Sequence, residues 1–221
     1  MILVKRVYRR MFPAIIFFIF ILAVDVLARP VSFEGGWTVY QSYDADSAVL
    51  LTHYSPRADC SFGLRGEYMR EKKWVFSGTQ MNNLLKRWNL SDAQANLYLE
   101  SAAGASYSNH GEFHKATDGA FFSGVSFDWE NRRFYCAYMN RYMYAGHVDK
   151  FFEQRLRLGI APYIGEYGDF HTWVMLEVRH KPEASDSIMI TPFLRFFKGP
   201  FMFEVGANQN GDVMNTFSCY F

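Results

Sequence analysis

Twelve segments of this chain repeat one arrangement, with apolar residues on one alternate phase and polar or charged residues on the other. They run 37–43, 47–55, 60–70, 74–87, 94–107, 119–129, 132–145, 150–163, 169–181, 187–197, 201–207 and 213–221. A period of two belongs to a β-strand with two unlike faces, because successive side chains leave a strand on opposite sides. The breaks hold the residues that reverse turns require, such as Asp44-Ala45-Asp46, Glu130-Asn131, Lys198-Gly199-Pro200 and Asn208–Asp212. Met81–Ala95, where Leu84, Leu85 and Trp88 crowd together, is the one stretch with a helical competitor, and strand plus turn is the preferred reading. Hairpin-length connections throughout predict an antiparallel meander, and closure into a barrel removes its two open edges. The expected fold is an all-β, antiparallel up-and-down barrel of about twelve strands, or ten if the short first segment does not count.

The phase of the charges says which face meets water. Arg65 and Glu67 alternate with Phe62, Leu64 and Tyr68, and Glu100 with Leu97 and Leu99. Arg141 opposes Tyr138 and Tyr142, while Glu153, Arg155 and Arg157 oppose Leu156 and Leu158. Glu177 and Arg179 oppose Val174 and Leu176, Arg195 opposes Leu194 and Phe196, Glu204 opposes Phe203 and Val205, and Asp128 opposes Phe127. One face is therefore apolar around the whole set, and the other carries six arginines and six acids.

Lysine is distributed differently. Lys72, Lys73, Lys86, Lys115, Lys150, Lys181 and Lys198 all lie in turns or near strand ends. A soluble barrel's outer face has no reason to exclude lysine and keep arginine. A confined polar lumen does, because the planar guanidinium can pair with two acids at once. A charge on a lipid face would cost ~2–4 kcal/mol at mid-depth. The charges are therefore placed inside and the apolar phase outside, in lipid, giving a transmembrane barrel. Aromatic residues at strand ends, Tyr107, Trp129, Tyr142, Tyr144, Phe151, Phe152, Phe170 and Phe221, suit the two interfacial girdles of such a barrel.

Residues 1–28 read as an address. Lys5, Arg6, Arg9 and Arg10 precede the apolar run Met11–Val24, and Val26-Leu27-Ala28 has the form of a cleavage site. The expected organisation is a signal peptide over 1–28 and one barrel domain over 29–221. The segment's loss would leave 19 Lys+Arg and 21 Asp+Glu, a formal charge of −2 and no nucleic-acid footprint. Three cysteines remain, Cys60, Cys136 and Cys219, each in phase with the apolar residues of its strand and without zinc-ligand spacing.

The final strand, Val213 to Phe221, ends on phenylalanine with apolar residues at alternate places before it. Val213, Phe217, Cys219 and Phe221 fill that pattern, with Cys219 and Asn215 departing from the usual residues. Together with the signal peptide, the hairpin count and the two-face alternation, this strand resembles the C-terminal insertion signal of Gram-negative outer-membrane β-barrel proteins. The resemblance covers the whole chain at the level of class. It implies residence in the bacterial outer membrane among lipid and lipopolysaccharide, termini on the periplasmic side, and the barrel-assembly machinery as the partner that reads 213–221. It also puts the longest connection, Ser108–Asp118, outside the cell.

Function is less constrained. The lumen residues Arg65, Arg141, Arg155, Arg157, Arg179 and Arg195 are expected to pair with Glu67, Glu100, Glu153, Glu177 and Glu204, sealing the barrel or leaving a narrow small-solute path. Trp173, Met175, Met189 and Phe193, also on the lumen phase, favour the filled version. A non-enzymatic role in membrane integrity or narrow passage follows, with no cofactor expected. Two other readings stay open. His110, Glu112 and His114 in one external loop and His147 in the next could hold zinc or copper at the rim. Ser106, Ser108 and His110 are close enough in sequence to suggest a lipid-modifying enzyme, although no nucleophile elbow supports them.

Overall fold

In a computed structural model, residues 29–111, 115–166 and 168–221 are described, and the leader read at 1–28 lies outside them. The strands are β1 (Trp37–Tyr43), β2 (Ser47–Arg57), β3 (Cys60–Met69), β4 (Trp74–Asn89), β5 (Ala93–Ser108) and β6 (Ala116–Asn131). They continue with β7 (Phe134–Ala145), β8 (Asp149–Ile160), β9 (His171–His180), β10 (Ile188–Lys198), β11 (Phe201–Ala207) and β12 (Val213–Tyr220). Each pairs antiparallel with its neighbour in sequence, and β1 also pairs with β12, so the sheet is a closed twelve-strand barrel. The short first strand counts, and Met81–Ala95 is strand and turn. Closure is completed beyond the ladder by two backbone bonds, Trp37 N to Phe221 O at 2.6 Å and Phe221 N to Trp37 O at 2.9 Å.

The wall is uneven. β4, β5 and β6 have 16 residues each, whereas β1 and β11 have 7 and β12 has 8. The termini lie at one end, and the turns after β1, β3, β5, β7, β9 and β11 lie at the other, distal end. Ser108–Asp118 is not the longest connection. β5 runs on to Ser108 and β6 starts at Ala116, while the loop 161–170, at the terminal end, is longer. The ladder simply consumes the flanks of the former, so loop length does not orient this barrel.

The outside is apolar. Leu64 is 70% exposed, and Leu50, Phe62, Val174, Ile188 and Phe203 are also open on the outward phase. Inward neighbours such as Glu67, Arg179, Arg195 and Glu204 are buried. No water-soluble protein presents an apolar belt around its whole girth. The chain is a membrane-spanning β-barrel. Near its rims, outward aromatic pairs join adjacent strands or the residues flanking them, including Trp37–Tyr54 at 5.3 Å, Phe121–Tyr144 at 5.4 Å and Phe170–Phe196 at 5.5 Å between ring centroids. Phe151 is a correction to the girdle, since it faces inward and is 1% exposed. Its phase is that of Glu153, not of the lipid-facing residues.

Cys60, Cys136 and Cys219 are half-buried free thiols on β3, β7 and β12, in the outward phase. None of these strands neighbours another of the three. Intact mass of the native protein is expected to show no intramolecular disulfide. An apolar maleimide dissolved in the membrane should label the thiols faster than a charged one; the reverse order would put the strand phases in error.

Candidate functional site: the lumen

The lumen is filled from three sources. On the β3–β8 side an apolar cluster of Met69, Trp74, Phe76, Phe122, Met143 and Phe151 packs inside the distal part of the wall, with Val148 folded in from the turn after β7. Trp74 Nε1 and Lys72 Nζ both donate to Asp149, at 3.1 and 2.6 Å, which fastens this plug to the rim. A second cluster, Trp173, Met175, Phe193 and Met214, lies inside β9–β12. Of the bulky residues singled out in the sequence, Trp173, Met175, Met189 and Phe193 are all buried.

Between these clusters runs a continuous chain of ion pairs. Arg141 grips Glu67 with both terminal nitrogens, at 2.7 and 2.9 Å, and Arg65 Nε reaches the same carboxylate at 3.0 Å. Arg141 also meets Glu153 at 3.3 Å, and Arg155 donates to Glu153 through Nε. Arg155 lies 3.8 Å from Glu177, which accepts from Arg157 at 2.7 Å. Arg157 continues to Glu204 at 3.3 Å, and Arg195 closes the series on Glu204 at 2.6 Å. Rings cover the guanidiniums at several points, as where Arg65 lies 5.1 Å from the Phe122 centroid and Arg195 4.7 Å from that of Tyr135. Planar guanidinium faces suit both partners at once.

Two residues of this network were hidden in what the sequence shows as an ordinary turn. Arg155 and Arg179 face each other directly across β8 and β9. Asp44, between β1 and β2, relieves that repulsion by contacting Arg155 at 3.4 Å and Arg179 at 3.5 Å. It also accepts from the backbone N–H groups of Asp46 and Ser47 at 2.9 and 2.7 Å, which tightens the turn that delivers it. Asp46 lies 2.8 Å from Arg179 but without hydrogen-bond alignment, and its Oδ2 has no hydrogen-bond partner. Burial raises the Asp46 carboxyl above its ordinary value, outweighing the pull of Arg179. A raised carboxyl favours the fold when protonated, and that contribution is lost as pH rises through the folded value. At neutral pH, Asp44→Asn is therefore expected to lower stability by ~1–3 kcal/mol. Asp46→Asn should leave it unchanged or slightly higher. Urea unfolding in vesicles checks the contrast, and equal losses would contradict it.

Glu100, expected among the paired acids, stands outside the network. It makes no ion pair among the described residues, and its Oε1 accepts from Ser126 Oγ at 2.6 Å. Its neighbours across the ladder are Asn82 and Gly124, so no arginine is beside it. Asp128 likewise takes a neutral partner, Asn96 Nδ2, at 2.7 Å.

The terminal mouth is crossed by a strap, residues 29–36, that the strand pattern gives no hint of. Arg29, ahead of β1 in the chain, reaches Gln94 on β5 and Glu130 on β6, donating to both. Ser61 Oγ and Asn82 Nδ2 donate to the Pro30 carbonyl at 2.8 and 3.0 Å. Ser32 N donates to Ser55 Oγ at 3.1 Å, and Gly35 N to the Ser55 carbonyl at 2.8 Å. Val31, within the strap, is 2% exposed. A cavity of about 220 Å³ remains between strap, ionic network and the β1–β2 wall.

The rim offers little chemistry. His110 Nε2 sits 3.2 Å from Lys73 Nζ, and His147 Nδ1 lies 3.4 Å from Asp118 in an open position. Glu112 and His114 lie outside the described residues. Among the described residues no His/Cys/Asp/Glu group is arranged to hold a metal. Ser106 Oγ donates to the Ala145 carbonyl at 3.3 Å, and Ser108 Oγ to the Lys73 carbonyl at 3.3 Å. Both hydroxyls are turned to backbone, and among the described residues neither meets an imidazole that could activate it.

No family profile and no curated protein matches the chain. Among solved structures, KdgM porin in complex with disordered oligogalacturonate is similar with a TM-score of 0.49 at 9% identity, over 84% of this chain and 98% of that one. KdgM porin alone gives 0.49 at 8%, over 84% and 98%. LpxR from Salmonella typhimurium gives 0.45 at 7%, over 84% and 99%. At such identities no residue role carries across.

Proposed function

We propose that the protein is an outer-membrane barrel whose lumen is occluded, and that it serves the integrity of the membrane rather than free diffusion through it. The observation that carries this reading is the unbroken ion-pair chain from Arg65 to Arg195, stitched to the distal turn by Asp44. A guanidinium held by two carboxylates in a confined space is a poor lining for a pore, because conduction would need those pairs to part. The apolar plug and the strap obstruct the two mouths in addition. The terminal strand 213–221 supplies the segment for the barrel-assembly machinery, with Val213 and Phe217 open on its outward face.

A second reading, narrow passage of small solutes, is favoured by the cavity of about 220 Å³. Planar-bilayer recording separates the two. Wild-type protein is expected to give no steady conductance, and deletion of residues 29–35 should at most introduce brief flickering. Stable steps on the nanosiemens scale from the intact protein would sink the occluded reading and assign it to porin-like transport.

A further inference from the structure

Two lysines hold a costly backbone conformation on one stretch of the distal rim. Lys73, just before β4, has φ 53°, and Lys115, just before β6, has φ 58°. Among the described residues no others besides glycines have positive φ. A Cβ is disfavoured in that region, and glycine would relieve both positions. Strain that persists at a lysine points to a task for its side chain. The two flank the end of β5, because Trp74 pairs with Ser108 and Ser108 with Ala116. Two strand spacings, about 10 Å, separate their backbones. Ser108 Oγ donates to the Lys73 carbonyl at 3.3 Å, which ties that lysine to the same strand end.

The cluster offers donors alone. Lys73 Nζ lies 3.2 Å from His110 Nε2. An ammonium has no acceptor, so the imidazole accepts through Nε2 and keeps Nδ1–H as a donor. Neither lysine makes an ion pair among the described residues, and the acids described nearby are engaged elsewhere. Asp149 takes Lys72 and Trp74, Asp118 takes the His147 backbone N–H, and Glu71 takes Ser185 N. Cationic donors without acceptors match an anion with several oxygens, and a phosphate group supplies them.

The surface beneath selects a lipid phosphate over a free one. Down the outward face from the lysines comes the row Val75, Tyr107 and Thr117, then the row Ser77, Ala105 and Gly119. A Cβ on Gly119 would meet nothing within 4 Å, so the second row has open space in front of it. Bulky side chains cover the outward face on either side, with Tyr107 above this row and Phe121 below it. The row is therefore a shallow recess in the apolar wall, directly under the cationic cluster. An acyl chain fits along it while Tyr107 sits at headgroup level, as rim aromatics of membrane barrels do.

We infer that Lys73, Lys115 and His110 hold the phosphate of an outer-leaflet lipid whose acyl chain lies against Ser77, Ala105 and Gly119. This inference rests on the outer-membrane placement with periplasmic termini, and it stands whether or not the lumen conducts.

Native mass spectrometry of the folded barrel in detergent micelles tests it, with diphosphoryl lipid A as probe and the same lipid stripped of phosphate as control. The phosphorylated lipid is expected to bind saturably, and the control about tenfold more weakly. Lys73→Gln combined with Lys115→Gln should weaken binding of the phosphorylated lipid by about tenfold. Lys150→Gln, which removes another rim lysine on β8, should leave it unchanged. Ala105→Phe, which fills the recess, should also weaken it, and excess inorganic phosphate should displace little of the lipid. Heat-modified mobility on gels reports that each variant is folded. Equal binding of the two lipids, an equal loss in Lys150→Gln, or unchanged binding in the double variant would each overturn the site. Full displacement by inorganic phosphate together with no effect of Ala105→Phe would overturn the lipid as its occupant. Cell fractionation is read separately: protein recovered outside the outer membrane would sink the placement, while unselective binding by a folded barrel would sink the site alone.

Discussion

Glu67→Ala is expected to be the most damaging single change in the lumen, lowering stability by ~3–5 kcal/mol while leaving the membrane sealed. The Glu67 side chain is fully buried and takes four guanidinium contacts, two from Arg141 and two from Arg65. Without it, Arg65 keeps only the neutral Gln80 Oε1, at 2.9 Å, and Arg141 keeps only Glu153, at 3.3 Å. Glu177→Ala removes an equally central carboxylate but strands neither of its partners. Arg157 still has Glu204, and Arg155 still has Glu153 and Asp44. Its cost should be smaller, ~1–3 kcal/mol. Combining Glu67→Ala with Arg141→Leu should recover part of the loss, since removing both members of a buried pair is gentler than removing one. Urea titration followed by tryptophan fluorescence, and heat-modified mobility on gels, read all four proteins. Equal losses at Glu67 and Glu177 would mean the charges face water and act independently.

Gly104→Ala should destabilise by ~1–3 kcal/mol, and valine there should prevent closure. Gly78 and Gly104 face each other across β4 and β5, both pointing inward. A Cβ on Gly104 would lie 2.2 Å from the Ser77 carbonyl oxygen and 2.5 Å from the Gly78 Cα. These contacts are with backbone, so no side chain can swing away. The two glycines let the β4 and β5 backbones come closer than strands carrying side chains at these positions could. Gly66 is the control. It lies on the outward phase of β3, nothing stands within 4 Å of its Cβ position, and Gly66→Ala should stay within ~0.5 kcal/mol. A neutral Gly104→Ala would show that the two backbones can move apart here.

Much of this architecture could be read locally. Alternation such as Phe62, Leu64 and Tyr68 against Arg65 and Glu67 is a property of one strand, so strand limits and facing were visible residue by residue. The segments 37–43 and 201–207 coincide with β1 and β11. What alternation cannot carry is the identity of a partner several strands away. Asp44 and Asp46 look like turn formers because they are turn formers, and their second task depends on Arg155 and Arg179 arriving from β8 and β9. Glu100 looks like a network acid because it shares the inward phase, yet register sets it beside Asn82 and Gly124. The strap has no periodicity at all, and Lys73 and Lys115 read as two unrelated turn lysines. Their meeting at the end of β5 exists only in three dimensions.

The span of the ion pairs also governs how such a molecule can assemble. Neighbouring hairpins can zip together one at a time, since every ladder joins consecutive strands until β1 meets β12. The lumen cannot be finished that way. Glu67 and Arg141 are 74 residues apart, and Arg155 and Asp44 are separated by 111. Half-built sheets therefore hold bare guanidiniums and carboxylates that only the last closure can neutralise. Partly inserted intermediates are penalised, loss of a wall that carries part of the network leaves its partners bare on the facing strands, and the barrel should enter and leave its folded state in a single all-or-none step.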